Sequence, residues 1–419
     1  MKIGVIADDF TGATDAASFI VAGGLSAIQV NGLPALVDEQ TLSEYQQAQA
    51  IVVALKSRSC PTEQAISESI TACRWLKEQG CTLIYFKYCS TFDSTESGNI
   101  GPVIDALMQE LNCKQTLISP ALPVNGRTVY MGHLFVYQQL LSESGMRNHP
   151  ITPMTDSNLA RLIESQSTGQ ASLLTHKDYA SHEQAQIKLE SLDRKYVVCD
   201  AIDDSDLKLL GQLSLTYPLV TGSSGLVGAI AAAIAQKQKV ESVPYCPAKG
   251  LRGLVISGSC SEMTNKQVAE YKRHAPSLKL EIAKCIESEN YIDNVEQWVL
   301  DATNTNEQWF PLVYATVLPD ELQEIKASYG SQASVAVENL FSQLIQRLKS
   351  HNFKVIISAG GETSGTVVRS LGSEVFSIGK TISPGVPWVR SLEDNTALAL
   401  KSGNFGDERF FLQAQEMMR

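Results

Sequence analysis

The sequence predicts an α/β protein of two domains, each a mainly parallel sheet flanked by helices. Three observations lead there. Short apolar runs alternate with stretches of helical spacing, the pattern of parallel strands joined by helical crossovers. A chain of 419 residues is too long for one ordinary core. A polar segment at 236–250, QKQKVESVPYCPAKG, then interrupts the alternation with two prolines and a closing glycine, as an interdomain linker does. The expected division is 1–235, a linker at 236–250, and 251–419.

The first strand–helix unit is the clearest. Residues 3–7 read as a buried strand, Ala13, Ala16, Ala17 and Ile20 recur at helical spacing, and Gly23-Gly24 stops the helix. A strand at 50–55 leads into a helix with Ile66, Ile70, Cys73 and Leu76 on one face, ending at Gly80. A strand at 83–86 precedes a helix carrying Val103, Ile104, Leu107 and Leu111. Further strands are expected at 116–119, 196–199 and 219–221, and beyond the linker at 254–256, 312–317 and 354–358.

Composition excludes several classes. The shares of hydrophobic (44%) and charged (19%) residues are those of a globular chain. A formal charge of −11 argues against nucleic acid or an anionic membrane as partner, though not against a small anion held in a local cationic pocket. The nine cysteines are odd in number and none has C-x-x-C spacing, as expected of free thiols in a reducing compartment. The opening MKIGVIADD is too short for a signal peptide, and the apolar stretch at 226–235 is too short to span a bilayer. A cytoplasmic location is expected; a homo-oligomer is compatible with all of this.

Ligands of open α/β sheets bind outside the carboxyl ends of strands. In the first half these ends carry Asp8, Asp9, Thr11 and Gly12, then Lys56, Ser57, Arg58 and Ser59. Next come Lys87, Ser90, Thr91, Asp93, Ser94 and Thr95, and finally Asn125, Gly126 and Arg127 with His133 beyond. Carboxylates, cations and hydroxyls on one edge suit a polyhydroxylated anion. Singly, each has a plainer reading: Thr11, Ser94 and Thr95 as helix caps, Asp8 and Asp9 as dipole partners, Lys56 and Arg58 as solvated charges, His133 as a structural histidine. Repetition at four successive strand ends favours a site.

The second half has a different signature. GLVIS is followed by Gly258-Ser259-Cys260-Ser261, KVIIS by Gly360-Gly361-Glu362-Thr363-Ser364-Gly365, and the run at 398–401 by Ser402-Gly403-Asn404-Phe405-Gly406. Strand–glycine turn–helix units bring backbone N–H groups against a phosphate, and glycine leaves that approach open. A nucleotide site is expected. The turn Thr221-Gly222-Ser223-Ser224-Gly225 reads either as a further anion cradle or as a plain connection. Gly379-Lys380-Thr381 is not a P-loop, because Glu374 stands at the first glycine and ISPGVP follows. Protein-kinase motifs and a dinucleotide fingerprint after the first strand are absent from the sequence.

IADDFTGATDAA, CSTFDST with GNIG, GRTVYMGHLFV, VTGSSGL, ISGSCS, GGETSG and KSGNFG together resemble the four-carbon acid sugar kinase family from end to end. SFIVAGGLSAIQVNGLP, FKYCSTFDST and HPITPMTDSNL are most similar to its 3-oxo-tetronate 4-kinase branch; threonate and erythronate kinases more typically carry Lys-x-Asp-Ser-Thr-Leu-Arg-Gly at the position of CSTFDSTESGNIG. The resemblance implies a sugar-acid-binding domain followed by an ATP-binding domain, and Mg²⁺-dependent transfer of a phosphoryl group to the terminal hydroxyl. It places ATP against Ser257, Ser259, Gly360, Gly361, Glu362, Thr363 and Gly403. Asp8, Arg58, Lys87 and Arg127 become candidates for binding the sugar acid, and Asp9 or Asp93 for orienting or deprotonating its hydroxyl. Metal ligands cannot be read. The alternatives are a D-threonate or D-erythronate 4-kinase and a nucleotide-gated sugar-acid sensor without turnover. Closure of two such domains over their substrates is expected, to exclude water.

Overall fold

The computed structural model describes residues 1–33, 39–149, 151–239, 242–305 and 308–418. It divides into two compact units, Met1–Val243 and Pro244–Arg419. Positions 240 and 241 of the expected linker lie outside the described residues. The helix Ser224–Gln238 runs three residues past the expected domain end at 235. Its exposed last turn, Gln236-Lys237-Gln238, is polar but has good helical propensity, so the helix carries on into the polar segment.

The strands of the first unit are β1 (Ile3–Ala7), β2 (Ala27–Asn31), β3 (Ala50–Ala54), β4 (Leu83–Lys87), β5 (Thr116–Ser119), β6 (Arg127–Tyr130), β7 (His133–Val136), β8 (Gln139–Leu140), β9 (Ala171–Leu174), β10 (Tyr196–Cys199) and β11 (Leu219–Gly222). β6, β7 and β8 form a small antiparallel sheet. The others lie in the order β2-β3-β1-β4-β11-β5-β10-β9, every neighbouring pair parallel. Helices cover the sheet, so β1, β3 and β4 are buried throughout and read as continuous apolar runs. From β1 the chain passes to β2 on one side, returns to β3 between them, then resumes at β4 on the other side of β1. The switch point is therefore the β1/β4 pair, where Ala7 is in register with Lys87.

In the second unit the strands are β12 (Arg252–Ser257), β13 (Ser277–Lys279), β14 (Leu312–Tyr314), β15 (Phe353–Ala359), β16 (Val375–Ser383), β17 (Val386–Ser391) and β18 (Ala397–Lys401). Their order is β13-β14-β12-β15-β18-β17-β16, parallel as far as β18 and antiparallel in the last two pairs. Here the switch lies between β12 and β15. Gly379-Lys380-Thr381 falls inside β16 and forms no phosphate loop.

Two differences from expectation have clear causes. The helix Thr62–Glu78 buries Ala65, Ser69, Ala72, Cys73 and Leu76, whereas Ile66 and Ile70 are only partly covered. Small residues let it approach Gly4 of β1, where an added Cβ would sit 3.1 Å from that of Leu76. The two isoleucines instead line a surface groove with Pro102 and Met108 of the helix Ile100–Glu110. β2 escapes an apolar-run search because it contains Gln29, which is 1% exposed. Its amide is satisfied internally by Thr14 at 2.9 Å and Asn31 at 3.0 Å. Among the described residues all cysteines are free, and no helix is long and apolar enough to cross a membrane.

Candidate active site

At the switch point of the first unit, backbone bonds lock three strand ends together. Asp8 N–H donates to the Lys87 carbonyl at 3.1 Å, and the Asp8 carbonyl accepts from Ser57 and Arg58 at 3.0 and 3.2 Å. Asn99 holds the loop after β3 in place, donating to the carbonyls of Ser57 and Cys60 at 2.8 and 2.9 Å. On this frame Arg58 grips the Asp8 carboxylate with two bonds, of 2.8 and 2.9 Å, and reaches Asp9 at 3.1 Å. Burial works against the Arg58 charge, but the bond and field of Asp8 outweigh it and raise its pKa. Burial likewise raises that of Asp8, opposed by Arg58 and Lys87. The pair is ionised, because a guanidinium cannot yield its proton and its parallel bonds need carboxylate acceptors.

This geometry bears on several expectations. Asp9, not Thr11, caps the first helix, accepting from Gly12 N–H at 2.7 Å, so both its oxygens are committed. Arg58 is held by two aspartates. Lys87 is buried, and its ammonium sits so close to the same helix start that a Cβ on Gly12 would meet Nζ at 2.5 Å. Arg127 opens β6. It donates to the Asn125 carbonyl, lies 5.6 Å from the Tyr137 ring centroid, and keeps Nε enclosed without a hydrogen-bond partner among the described residues. Asp93 likewise has an enclosed oxygen, Oδ1, with no hydrogen-bond partner among the described residues. Its neighbour Cys89 is pushed up to about 12 by burial first and by Asp93 second, so that sulfur stays a thiol. The His133 ring bonds the Met131 carbonyl at 2.9 Å and Asn158 at 3.3 Å.

In the second unit the three glycine turns converge. Gly258 and Ser259 N–H donate to the Ala359 carbonyl at 3.1 and 3.2 Å, and Gly360 N–H to that of Lys401 at 2.9 Å. Gly360 has φ +127°, a conformation open essentially to glycine alone. It starts the helix Gly361–Leu371 without any side-chain cap, and a Cβ on Gly361 would meet nothing within 4 Å. Exposed, uncapped amides at a helix N-terminus fit a phosphate. The turns are packed so tightly that a Cβ on Gly403 would lie 2.6 Å from Ser259 Oγ, and one on Gly258 would lie 2.3 Å from Thr363 Oγ1. Ser257 and Thr363 turn their hydroxyls inward instead, to Thr316 at 2.6 Å and Glu338 at 2.9 Å. Glu362 is exposed in the first turn of the helix.

Sequence reading missed three residues here: Asp15, Glu338 and Lys401. Asp15 accepts from Ser224 beside Lys87, and burial raises its pKa; a carboxylate amid Ala13, Ala16 and Ala17 was the available signal. Ser223 and Ser224 are buried, and Ser223 donates to the Ala121 carbonyl at 2.7 Å, so the 221–225 turn knits the core together rather than cradling an anion. Glu338 and Lys401 meet the glycine turns only through the fold. Among the described residues no group of three or more His, Cys, Asp or Glu side chains could hold a metal ion.

Comparison with known proteins agrees with this division of chemistry. The family model of a sugar-binding N-terminal domain matches residues 3–230, and that of a nucleotide-binding C-terminal domain matches 254–411. A Haemophilus influenzae protein named 3-oxo-tetronate kinase is 51% identical over 420 residues, covering 99% of both chains. One of the same name from Actinobacillus succinogenes is 50% identical over 422 residues, covering 100% of each. A crystal structure of a Haemophilus influenzae protein superposes with a TM-score of 0.92 at 49% identity, covering 99% of this chain and 100% of that one. An acidic and basic edge on one sheet, glycine turns on the other, and these full-length matches place the chain in the four-carbon acid sugar kinase family, which joins a sugar-binding N-terminal domain to a nucleotide-binding C-terminal one.

Proposed function

We propose that this protein is a 3-oxo-tetronate 4-kinase, transferring the terminal phosphoryl group of ATP to the C4 hydroxyl of a 3-oxo-tetronate. The observation that carries the reading is identity near 50% along the whole chain with proteins bearing the name 3-oxo-tetronate kinase. The uncapped amides at Gly361 and the crowded turns at Gly258 and Gly403 support the phosphate site. ATP supplies the phosphoryl group, and Mg²⁺, which binds through phosphate oxygens and a few carboxylates such as the exposed Glu362, supplies charge neutralisation.

The remaining work falls to positioning and proton transfer. Arg127, with an uncommitted Nε, is suited to the substrate carboxylate. Asp8, Arg58 and Lys87 form a rigid charged floor that can order hydroxyls. Asp93 is better placed than Asp9 to take the hydroxyl proton, since no cation or helix cap engages its Oδ1. Replacing a general base is expected to lower kcat by about a hundred- to ten-thousand-fold. Asp93→Asn should therefore fall that far, and Asp9→Asn less. A reversed order would return the role to Asp9.

The deciding experiment incubates the purified protein with Mg-ATP and 3-oxo-tetronate, D-threonate or D-erythronate, following ADP release and locating the new phosphate by ³¹P NMR. Preferential phosphorylation of the oxo acid at C4 is expected. Preference for a reduced acid would reassign the substrate, and nucleotide binding without turnover of any acid would make the protein a sensor.

A further inference from the structure

The kinase reading leaves open how the nucleoside is held. Beside the glycine turns lies a cavity of about 440 Å³, lined mainly by apolar side chains including Ile282, Val317, Leu322, Ile325 and Val337, with Gly258 and Glu362 at its edge. Its size falls in the usual range of ligand sites, roughly 300–1,000 Å³. Glu338, on the helix Gln332–Lys349, is a charged residue of this wall. Oε1 accepts from Thr363 at 2.9 Å, which ties it to the helix bearing the free amides. It is also near enough to the first turn that a Cβ on Gly258 would lie 3.3 Å from Oε1. Oε2 is enclosed and has no hydrogen-bond partner among the described residues.

An ionised carboxylate offers about four acceptor positions, and leaving them unfilled in an enclosed place is costly. A ligand that donates hydrogen bonds there recovers that cost. In a nucleotide, the group that lies between a flat apolar base and a phosphate chain is the sugar, and its vicinal hydroxyls are donors. Glu338 has the corresponding position, at once on the wall of an apolar cavity and bonded to the helix whose N-terminus suits phosphate.

Resting on the kinase reading, we propose that this cavity takes the nucleoside of ATP and that Glu338 accepts hydrogen bonds from its ribose hydroxyls, making the site selective for ribonucleotides over deoxyribonucleotides. Thr363 then serves to hold Glu338 rather than to touch phosphate.

The test compares ATP, 2′-deoxy-ATP and 3′-deoxy-ATP on the full chain, by kcat/KM with the sugar acid and by calorimetric binding without it. Wild type should lose at least about tenfold with one or both deoxy analogues, the cost of leaving a buried charged acceptor unpaired. In Glu338→Gln, ATP should weaken toward the deoxy analogues until the ratio falls within about threefold, while the unfolding temperature without nucleotide stays near that of wild type. Equal handling of the three nucleotides by wild type, which needs no variant, overturns the proposal. So does a variant that weakens all three equally, or one that alters Mg²⁺ dependence with the ratio unchanged. Failure of the kinase reading itself would look different: no acid phosphorylated with any nucleotide, with the calorimetric ratios still deciding the ribose contact.

Discussion

Lys401 is the least expected ionisable group in the second unit, and replacing it with methionine has a calculable consequence. The side chain is fully buried at the end of β18, and among the described residues its ammonium bonds neutral oxygens alone: the carbonyls of Ser402 and Gly403 at 2.9 and 2.8 Å and Thr264 Oγ1 at 3.2 Å. Burial lowers its pKa from 10.5 to about 7. At about 1.4 kcal/mol for each tenfold change in proton affinity, that is a penalty of at most roughly 5 kcal/mol on the charged folded state. Below pH 7 both folded and unfolded chains hold the proton, and the penalty is complete. Between about 7 and 10.5 the unfolded chain holds a proton that the folded chain has released, so stability rises with pH. Above 10.5 the penalty is gone. Methionine also strands the acceptors that Lys401 satisfied, but that cost does not vary with pH. The difference in unfolding free energy between Lys401→Met and wild type should therefore move by several kcal/mol against the variant from pH 6 to pH 10. Denaturant titrations followed by tryptophan fluorescence would read it, since Trp298, Trp309 and Trp388 belong to the second unit and only Trp75 to the first. Parallel pH curves for the two proteins would refute the argument.

Three further outcomes are expected. Arg58→Met strands the buried Asp8 carboxylate and should destabilise the first unit by about 3–5 kcal/mol; a loss below about 1 kcal/mol by denaturant unfolding would mean that Lys87 suffices as partner. Gly403→Ala wedges a methyl against Ser259 and Ser261, at a cost of about 1–3 kcal/mol, and should raise KM for ATP by roughly tenfold or more without changing affinity for the acid. Unchanged kinetics there would show that the turns part freely. Arg127→Lys removes a planar fork and should lower kcat/KM for the acid by about ten- to a hundredfold at constant KM for ATP; an effect on ATP alone would assign Arg127 elsewhere.

Local pattern made much of the fold legible. β1, β3, β4, β5 and β10 are short, wholly buried runs, and buried parallel strands are the most continuous apolar signal a sequence can carry. β2 was hidden by Gln29, and the face of the helix Thr62–Glu78 was misread because bulk drew attention to Ile66 and Ile70 while close packing selected Ala65, Ala72 and Leu76. Hydrophobicity reports what leaves water; it does not report which neighbour a residue meets.

The same division holds at the candidate site. Order along the chain determined that Asp8, Arg58 and Lys87 stand at or just beyond strand ends and that glycines follow β12, β15 and β18, because a parallel sheet delivers every strand end to one edge. Partner choice was decided only in three dimensions. Arg58 could have been free for a ligand, but Asp8, fifty residues away, captures it; Asp15 meets Ser224 across 209 residues; Lys401 finds Thr264 across 137. Such bonds depend on distances of about 3 Å between groups whose separation along the chain carries no information about them. Composition and spacing establish which chemistry is present at an edge, and packing establishes which of those groups remain unspent.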